Sequence, residues 1–136
     1  MRFGIYSTVL LIKKIIILYT VILVLLAVLP INSGNSGMNH TFILSVRLDY
    51  LVHFAVFIPW MILAWIFSGV RFSQAPLIAF GWIMAGIALA VFTELIQYVL
   101  PYRTFNINDL AANVLGVIIG AGFFLFRRPD IKIINR

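Results

Sequence analysis

The sequence predicts an all-α, polytopic membrane protein with four transmembrane helices in a compact bundle. Of its 136 residues, 63% are apolar and only 10% are charged, whereas soluble domains average about 25% charged residues. A chain of this length could not bury so large an apolar excess in one aqueous core. Ten lysines and arginines lie in short connectors and tails between apolar runs, which indicates topology signals rather than a nucleic-acid surface. We expect residues 1–136 to form a single membrane domain.

Four apolar stretches have the length of roughly 17–25 residues that a bilayer requires of a helix. The predicted spans are approximately 15–31, 50–70, 75–100 and 109–126. The first follows Lys13 and Lys14 and ends at a polar segment after Pro30. The second contains Pro59, at which we expect a kink. The third stops at Pro101, and the fourth ends before two arginines.

The opening segment, residues 3–12, either lengthens the first helix or lies along the inner interface. A removable signal peptide is a rival interpretation of the first span, because two lysines precede its apolar run. No A-x-A-like cleavage site follows Leu29, and loss of this span would leave the termini on opposite sides. We therefore expect the first span to stay in the protein.

Orientation follows from the basic residues, which are retained preferentially on the cytoplasmic side. One side of the predicted bundle holds Arg2, Lys13, Lys14, Arg71, Arg127, Arg128, Lys132 and Arg136, and the other holds Arg47 and Arg103. This asymmetry predicts that both termini are cytoplasmic.

Ionisable residues inside spans are costly and indicate function. Three pairs, one on each of the last three spans, are Asp49 and His53, Glu94 and Gln97, and Asp109 and Asn113. Consecutive spans alternate in direction, so all three pairs fall at the same end of the bundle, and the basic-residue asymmetry places that end outside. The members of each pair are three or four residues apart and share a helix face. We call these six residues the polar layer and predict that they bind a ligand.

Small residues extend the same helix faces. Gly86 and Ala90 precede Glu94 at intervals of four, and Gly116 and Gly120 follow Asn113 on the fourth span. Small faces allow helices to approach closely in lipid. This pattern predicts that the third and fourth helices form a tightly packed pair.

Arg103, in the connector after the third span, is expected to be the only cation at the polar layer. It could clamp Asp49, Glu94 or Asp109, or it could donate to a phosphate or carboxylate of an external ligand. The sequence leaves these alternatives open.

Few enzyme signatures are present. The chain has no nucleophile elbow, phosphate-binding loop, zinc-protease motif or dinucleotide fingerprint, and it has no cysteine. Glu94, His53 and Asp109 remain candidates for acid/base chemistry on a lipid or glycan head group. The carboxylates come from different spans without a local ligand motif, so we expect no metal site and no cofactor.

Motifs between Asp49 and Gly122 carry a family resemblance. They are Asp49-x-x-x-His53-Phe54, Thr93-Glu94-Leu95-Ile96-Gln97, Pro101-x-Arg103, and Asn108-Asp109-Leu110-Ala111-Ala112-Asn113-Val114-Leu115-Gly116 with Gly120. In order and spacing, this set resembles the VanZ-like family of small bacterial membrane proteins, named for a protein that lowers susceptibility to teicoplanin. The resemblance implies a place in the bacterial cytoplasmic membrane and a role in the cell envelope, but no reaction.

Two positions depart from the family's common pattern. Tyr50 stands where the family often has lysine, and Asn106 stands where it often has an acidic residue. Both changes alter the charge at the outer rim, so the ligand need not be the one that other members bind.

Three function classes are therefore open. The first is a non-enzymatic envelope protein whose outer polar pocket binds an amphiphile, either a lipoglycopeptide or a lipid-linked wall precursor. The second is an intramembrane enzyme that modifies a lipid or glycan head group. The third is a partner subunit or a component of a proton-linked transporter.

Overall fold

The fold is a bundle of four helices, with a short β-hairpin directly before the second helix. A computed structural model describes residues 2–30, 41–43, 46–69 and 74–126, where it has α1 (Arg2–Val28), β1 (Phe42–Ile43), β2 (Val46–Arg47), α2 (Leu48–Ser68), α3 (Pro76–Val99) and α4 (Ile107–Phe126). The predicted all-α membrane fold is confirmed. Three segments, Leu10–Val28, α2 and α3, are long and apolar enough to cross a membrane, and α4 is a shorter apolar helix.

Helix ends differ from the predicted spans for local reasons. The segment 3–12 lengthens the first helix, which runs without interruption from Arg2, whereas residue 31 lies outside the described ranges. In α2 the helix passes through Pro59 and closes at Gly69, whose left-handed φ of 64° turns its N–H back to the Ile66 carbonyl.

The amino-terminal end of α4 is capped by Asn106. Its side-chain Oδ1 accepts a hydrogen bond from the backbone N–H of Asn108 at 3.0 Å, which satisfies one of the free donors at a helix start. This cap moves the start of α4 to Ile107, two residues ahead of the predicted span.

The hairpin was not predicted. Phe42 pairs with Arg47 and Ile43 with Val46 in antiparallel register, and the N–H of Leu48 donates to the Thr41 carbonyl at 2.9 Å. Two residues per strand are too few to give a periodic signal in the sequence. The hairpin delivers the chain directly into α2.

The closest helix approach is between α2 and α4. A Cβ on Gly116 would overlap the carbonyl oxygen of Phe54, and one on Gly120 would lie 2.9 Å from the Cβ of Met61. The prediction that these glycines pack against α3 is therefore wrong, since the partner is α2. Gly86 does face α4, because a Cβ built on it would lie 3.0 Å from Cγ1 of Val117.

Helix α1 is held to the bundle by polar contacts as well as by packing. The Tyr19 hydroxyl donates to the Val56 carbonyl at 2.8 Å, and the Trp60 indole donates to the Thr20 hydroxyl at 3.0 Å. In lipid these bonds satisfy groups that would otherwise be costly. They fix the depth of α1 relative to α2.

Replacing Gly116 with alanine should destabilise the bundle by about 1–3 kcal/mol, because the new methyl group meets backbone that cannot move aside easily. Gly122 on the same helix has open space where its Cβ would lie, so Gly122→Ala is the matched control. Thermal unfolding of both purified variants in one detergent measures the difference. Equal melting temperatures would contradict the close α2–α4 contact.

Candidate functional site

Three helices meet in one hydrogen-bonded chain at the polar layer. The amide Nδ2 of Asn113 on α4 donates to Oε1 of Glu94 on α3 at 3.1 Å. Its Oδ1 lies 3.1 Å from Nδ1 of His53 on α2. The alternation of span direction, together with one polar face per helix, thus brings His53, Glu94 and Asn113 into direct contact.

The imidazole of His53 lies between Asn113 and Asp109. Nδ2 of Asn113 donates to Glu94, so its Oδ1 is placed to accept a hydrogen from Nδ1 of His53. Nε2 points toward Asp109, whose Oδ2 is 3.8 Å away.

Most of the polar layer is withdrawn from the surface. Glu94 is 0% exposed and Asn113 is 1% exposed. Oε2 of Glu94 and Oδ1 of Asp109 have no hydrogen-bond partner among the residues that the structure describes. Buried polar atoms are normally paired, so the layer holds unused capacity to accept hydrogen bonds.

Arg47 is a member of the site that the sequence analysis did not place there. Its Nε donates to Oδ1 of Asp49 at 3.1 Å, its Nη2 donates to Oδ2, and its Nη1 donates to the Tyr50 hydroxyl at 3.1 Å. Partial burial acts to lower the pKa of Arg47, but the hydrogen bond and the charge of Asp49 raise it above the usual value. The expectation that Arg103 is the only cation at the layer is wrong.

Arg103 makes a different contact from those expected. Its Nη2 donates to the Leu26 carbonyl at 2.9 Å, and the adjacent Tyr102 hydroxyl donates to the Val28 carbonyl at 3.0 Å. Both carbonyls belong to the last turn of α1, which has no intrahelical donors for them. Burial lowers the pKa of the Arg103 guanidinium, while the charges of Tyr102, Glu94 and Asp109 act against that change.

Two cavities adjoin the polar layer in the part of the chain that the structure describes, and the larger, of about 110 Å³, runs along the seam of α1 and α2. Its apolar wall consists of Leu23, Leu26, Ala27, Val52, Val56 and Phe57. Its polar end consists of Asp49, His53, Thr93, Gln97, Arg103 and Asn113. Nothing in the sequence distinguished this apolar wall, because all four helices carry similar residues on their lipid-facing sides.

The smaller cavity, of about 50 Å³, lies at the rim and is polar. It is formed by Arg47, Asp49, His53, Gln97, Arg103, Thr104, Asn106 and Asp109. Four residues, Asp49, His53, Gln97 and Arg103, line both cavities. The two spaces therefore meet at the polar layer.

Of the six polar-layer residues and Arg103, all but Glu94 line one or both cavities. Glu94 accepts a hydrogen bond from the amide of Asn113 and is absent from both linings. Glu94 is therefore in position to orient Asn113 and His53 rather than to touch a ligand. Within the described ranges, no group of three side chains of the metal-binding types converges.

Comparison with known proteins identifies the family. The sequence model of the VanZ/LLP1 family matches residues 8–128, and the chain belongs to that family. No curated protein and no solved structure matches the chain.

Replacing Asn113 with leucine should cost about 1–3 kcal/mol of stability, because it leaves Oε1 of Glu94 buried without a donor. Adding Glu94→Leu to that variant should recover part of the loss, since the unpaired Glu94 oxygen is removed and only Nδ1 of His53 stays without its Asn113 partner. Melting temperatures of the two single variants and the double variant in one detergent give the coupling. A double variant that loses the sum of the single losses would contradict the bond.

Proposed function

We propose that this member of the VanZ/LLP1 family binds an amphiphile, with the head group in the polar layer and the apolar chain in the larger cavity. We further propose that this binding acts in the bacterial envelope to raise tolerance of teicoplanin-type lipoglycopeptides. The observation that carries the proposal is the junction of the two cavities, one apolar-walled and one polar, at four shared residues.

The apolar cavity is accessible from the lipid. Leu26 on α1 and Val52 on α2 line it and are 39% and 43% exposed. Exposed apolar side chains of a membrane helix face hydrocarbon, so a chain could enter sideways between α1 and α2. The site thus has apolar side chains at one end and charged side chains at the other. An amphiphile has the same arrangement, with an apolar chain and a polar head group.

The outward orientation of the site is supported by charge. Tyr102 and Arg103 bind the carboxyl-terminal end of α1, so that end lies at the polar layer. Lys13 and Lys14 are roughly four helical turns away along α1. Because lysine and arginine are enriched on the cytoplasmic side, we propose that the layer faces outward and that both termini are cytoplasmic.

A second candidate is acid/base chemistry on the same head group. His53 lines both cavities, 3.7 Å from Oε1 of Glu94 and 3.8 Å from Oδ2 of Asp109. An imidazole placed between two carboxylates is a common arrangement for general acid/base chemistry. An enzyme should lose turnover in Glu94→Gln, whereas a binding protein should keep partial affinity.

Topology can be tested with single cysteines, because the chain has none of its own. Thr41, Thr104 and Gln74 are all exposed. Cysteines at positions 41 and 104 should react with an impermeant thiol reagent added to whole cells, and one at position 74 should react only after lysis. The reverse pattern would place the site on the cytoplasmic side and remove the link to lipoglycopeptides.

Filling the larger cavity should abolish tolerance. Wild type expressed in a susceptible Gram-positive host should raise the lowest inhibitory concentration of teicoplanin severalfold, and Val52→Trp should return it to the vector level because the indole occupies the chain site. Leu95, which is 53% exposed on α3 and lines neither cavity, provides the matched control Leu95→Trp.

Membrane abundance of each variant is measured in parallel. Tolerance that survives Val52→Trp at equal abundance would contradict a role for the cavity. A wild type that does not differ from the vector would contradict the proposed tolerance.

A further inference from the structure

Two side chains of opposite charge that line the smaller cavity, Asp109 and Arg103, each keep one buried polar atom without a hydrogen-bond partner among the described residues. We propose that the head group bound there is zwitterionic, with a primary ammonium on Asp109 and a phosphate on Arg103. The ligand class is then a phospholipid with an aminoalkyl head group. This inference rests on the proposed function, because it specifies which amphiphile the site takes.

Asp109 supplies the acceptor. Its side chain is 9% exposed and lines the smaller cavity, while Oδ1 has no partner within the part of the chain that the structure describes. Oδ2 is 3.8 Å from Nε2 of His53, which is beyond hydrogen-bonding distance. The side chain of Asn106 gives this carboxylate a hydrogen bond. A charge so withdrawn from water nevertheless stays costly without a close cation, and an ammonium in the cavity would supply one.

Arg103 supplies the donor. It lines both cavities, and its buried Nε has no hydrogen-bond partner among the described residues. Its Nη2 is held by the Leu26 carbonyl, which fixes the plane of the guanidinium. Arginine presents a rigid set of donors that suits phosphate oxygens.

The other ion pair at the rim does not compete for the ligand. Arg47 uses three nitrogens on Asp49 and Tyr50, and its guanidinium also lies 4.7 Å from the centre of the Tyr50 ring. The oppositely charged pair left to receive a head group is therefore Asp109 and Arg103.

Charge balance selects the zwitterion over simpler head groups. An anionic lipid would leave Oδ1 of Asp109 without a donor and would add a like charge beside it. A cationic amphiphile would leave Nε of Arg103 without an acceptor. A quaternary ammonium has no N–H to give Oδ1, so a primary ammonium should bind more tightly.

The test uses the full chain in neutral maltoside micelles and five amphiphiles with the same oleoyl or oleyl chain. They are lysophosphatidylethanolamine, lysophosphatidylcholine, lysophosphatidylglycerol, oleylamine and monoolein. Native mass spectrometry measures the bound fraction against concentration. We expect lysophosphatidylethanolamine to bind about tenfold more tightly than each of the others, which corresponds to about 1.4 kcal/mol.

Two variants assign that preference to Asp109. Asp109→Asn should remove the preference for the ethanolamine head group over the glycerol head group, while monoolein binding stays the same. The double variant Asn108→Asp with Asp109→Asn keeps the net charge and a carboxylate at the start of α4, but moves it to an exposed position. It should lose the preference equally.

The possible results distinguish the proposal of an amphiphile site from the proposal of a zwitterionic head group. Absence of saturable binding for all five amphiphiles would overturn both. Equal binding of all five would retain the amphiphile site and overturn the zwitterion. If lysophosphatidylglycerol or oleylamine bound more tightly than lysophosphatidylethanolamine, the proposal that Arg103 and Asp109 bind the two charges of one head group would be overturned. A preference that survives Asp109→Asn would overturn the role of Asp109.

Discussion

The close approach of α2 and α4 is the constraint on which the site depends. Gly116 lies against the backbone carbonyl of Phe54, and that contact leaves no space for any side chain at this position. His53 precedes Phe54 on α2, and Asn113 lies one turn before Gly116 on α4. The 3.1 Å between His53 and Asn113 therefore follows from a packing contact of two backbones, because a larger residue at position 116 would separate the two polar side chains as well as the two helices.

The two arginines at the rim, Arg47 and Arg103, differ in the groups that they bind. Arg47 and Asp49 neutralise each other through two hydrogen bonds and close one side of the polar layer. Arg103 instead holds the end of α1 through a carbonyl. It thereby ties the wall of the apolar cavity to the connector before α4. One side chain thus links the position of α1 to the positive charge at the wall of both cavities.

Much of this arrangement could be predicted from the sequence, because span alternation and helical periodicity are geometric rules. They place Asp49, His53, Gln97, Asp109 and Asn113 at one end of the bundle, where all five line a cavity. The partner of the α4 glycines could not be predicted in the same way. A stripe of small residues indicates close approach but carries no information about which neighbour approaches, and α2 has no comparable stripe to mark it.

A position inside a predicted span was the sequence criterion for Glu94, and such a position does not by itself show contact with a ligand. Glu94 is the most deeply enclosed carboxylate, with 0% exposure, and Asn113 separates it from the cavities. Its effect is transmitted through hydrogen bonds, because Glu94 accepts from the amide of Asn113, whose Oδ1 faces Nδ1 of His53. Asp109 lies nearer the rim and lines the polar cavity. The fully buried carboxylate therefore orients its neighbours, and Asp109 supplies a carboxylate at the wall of the polar cavity.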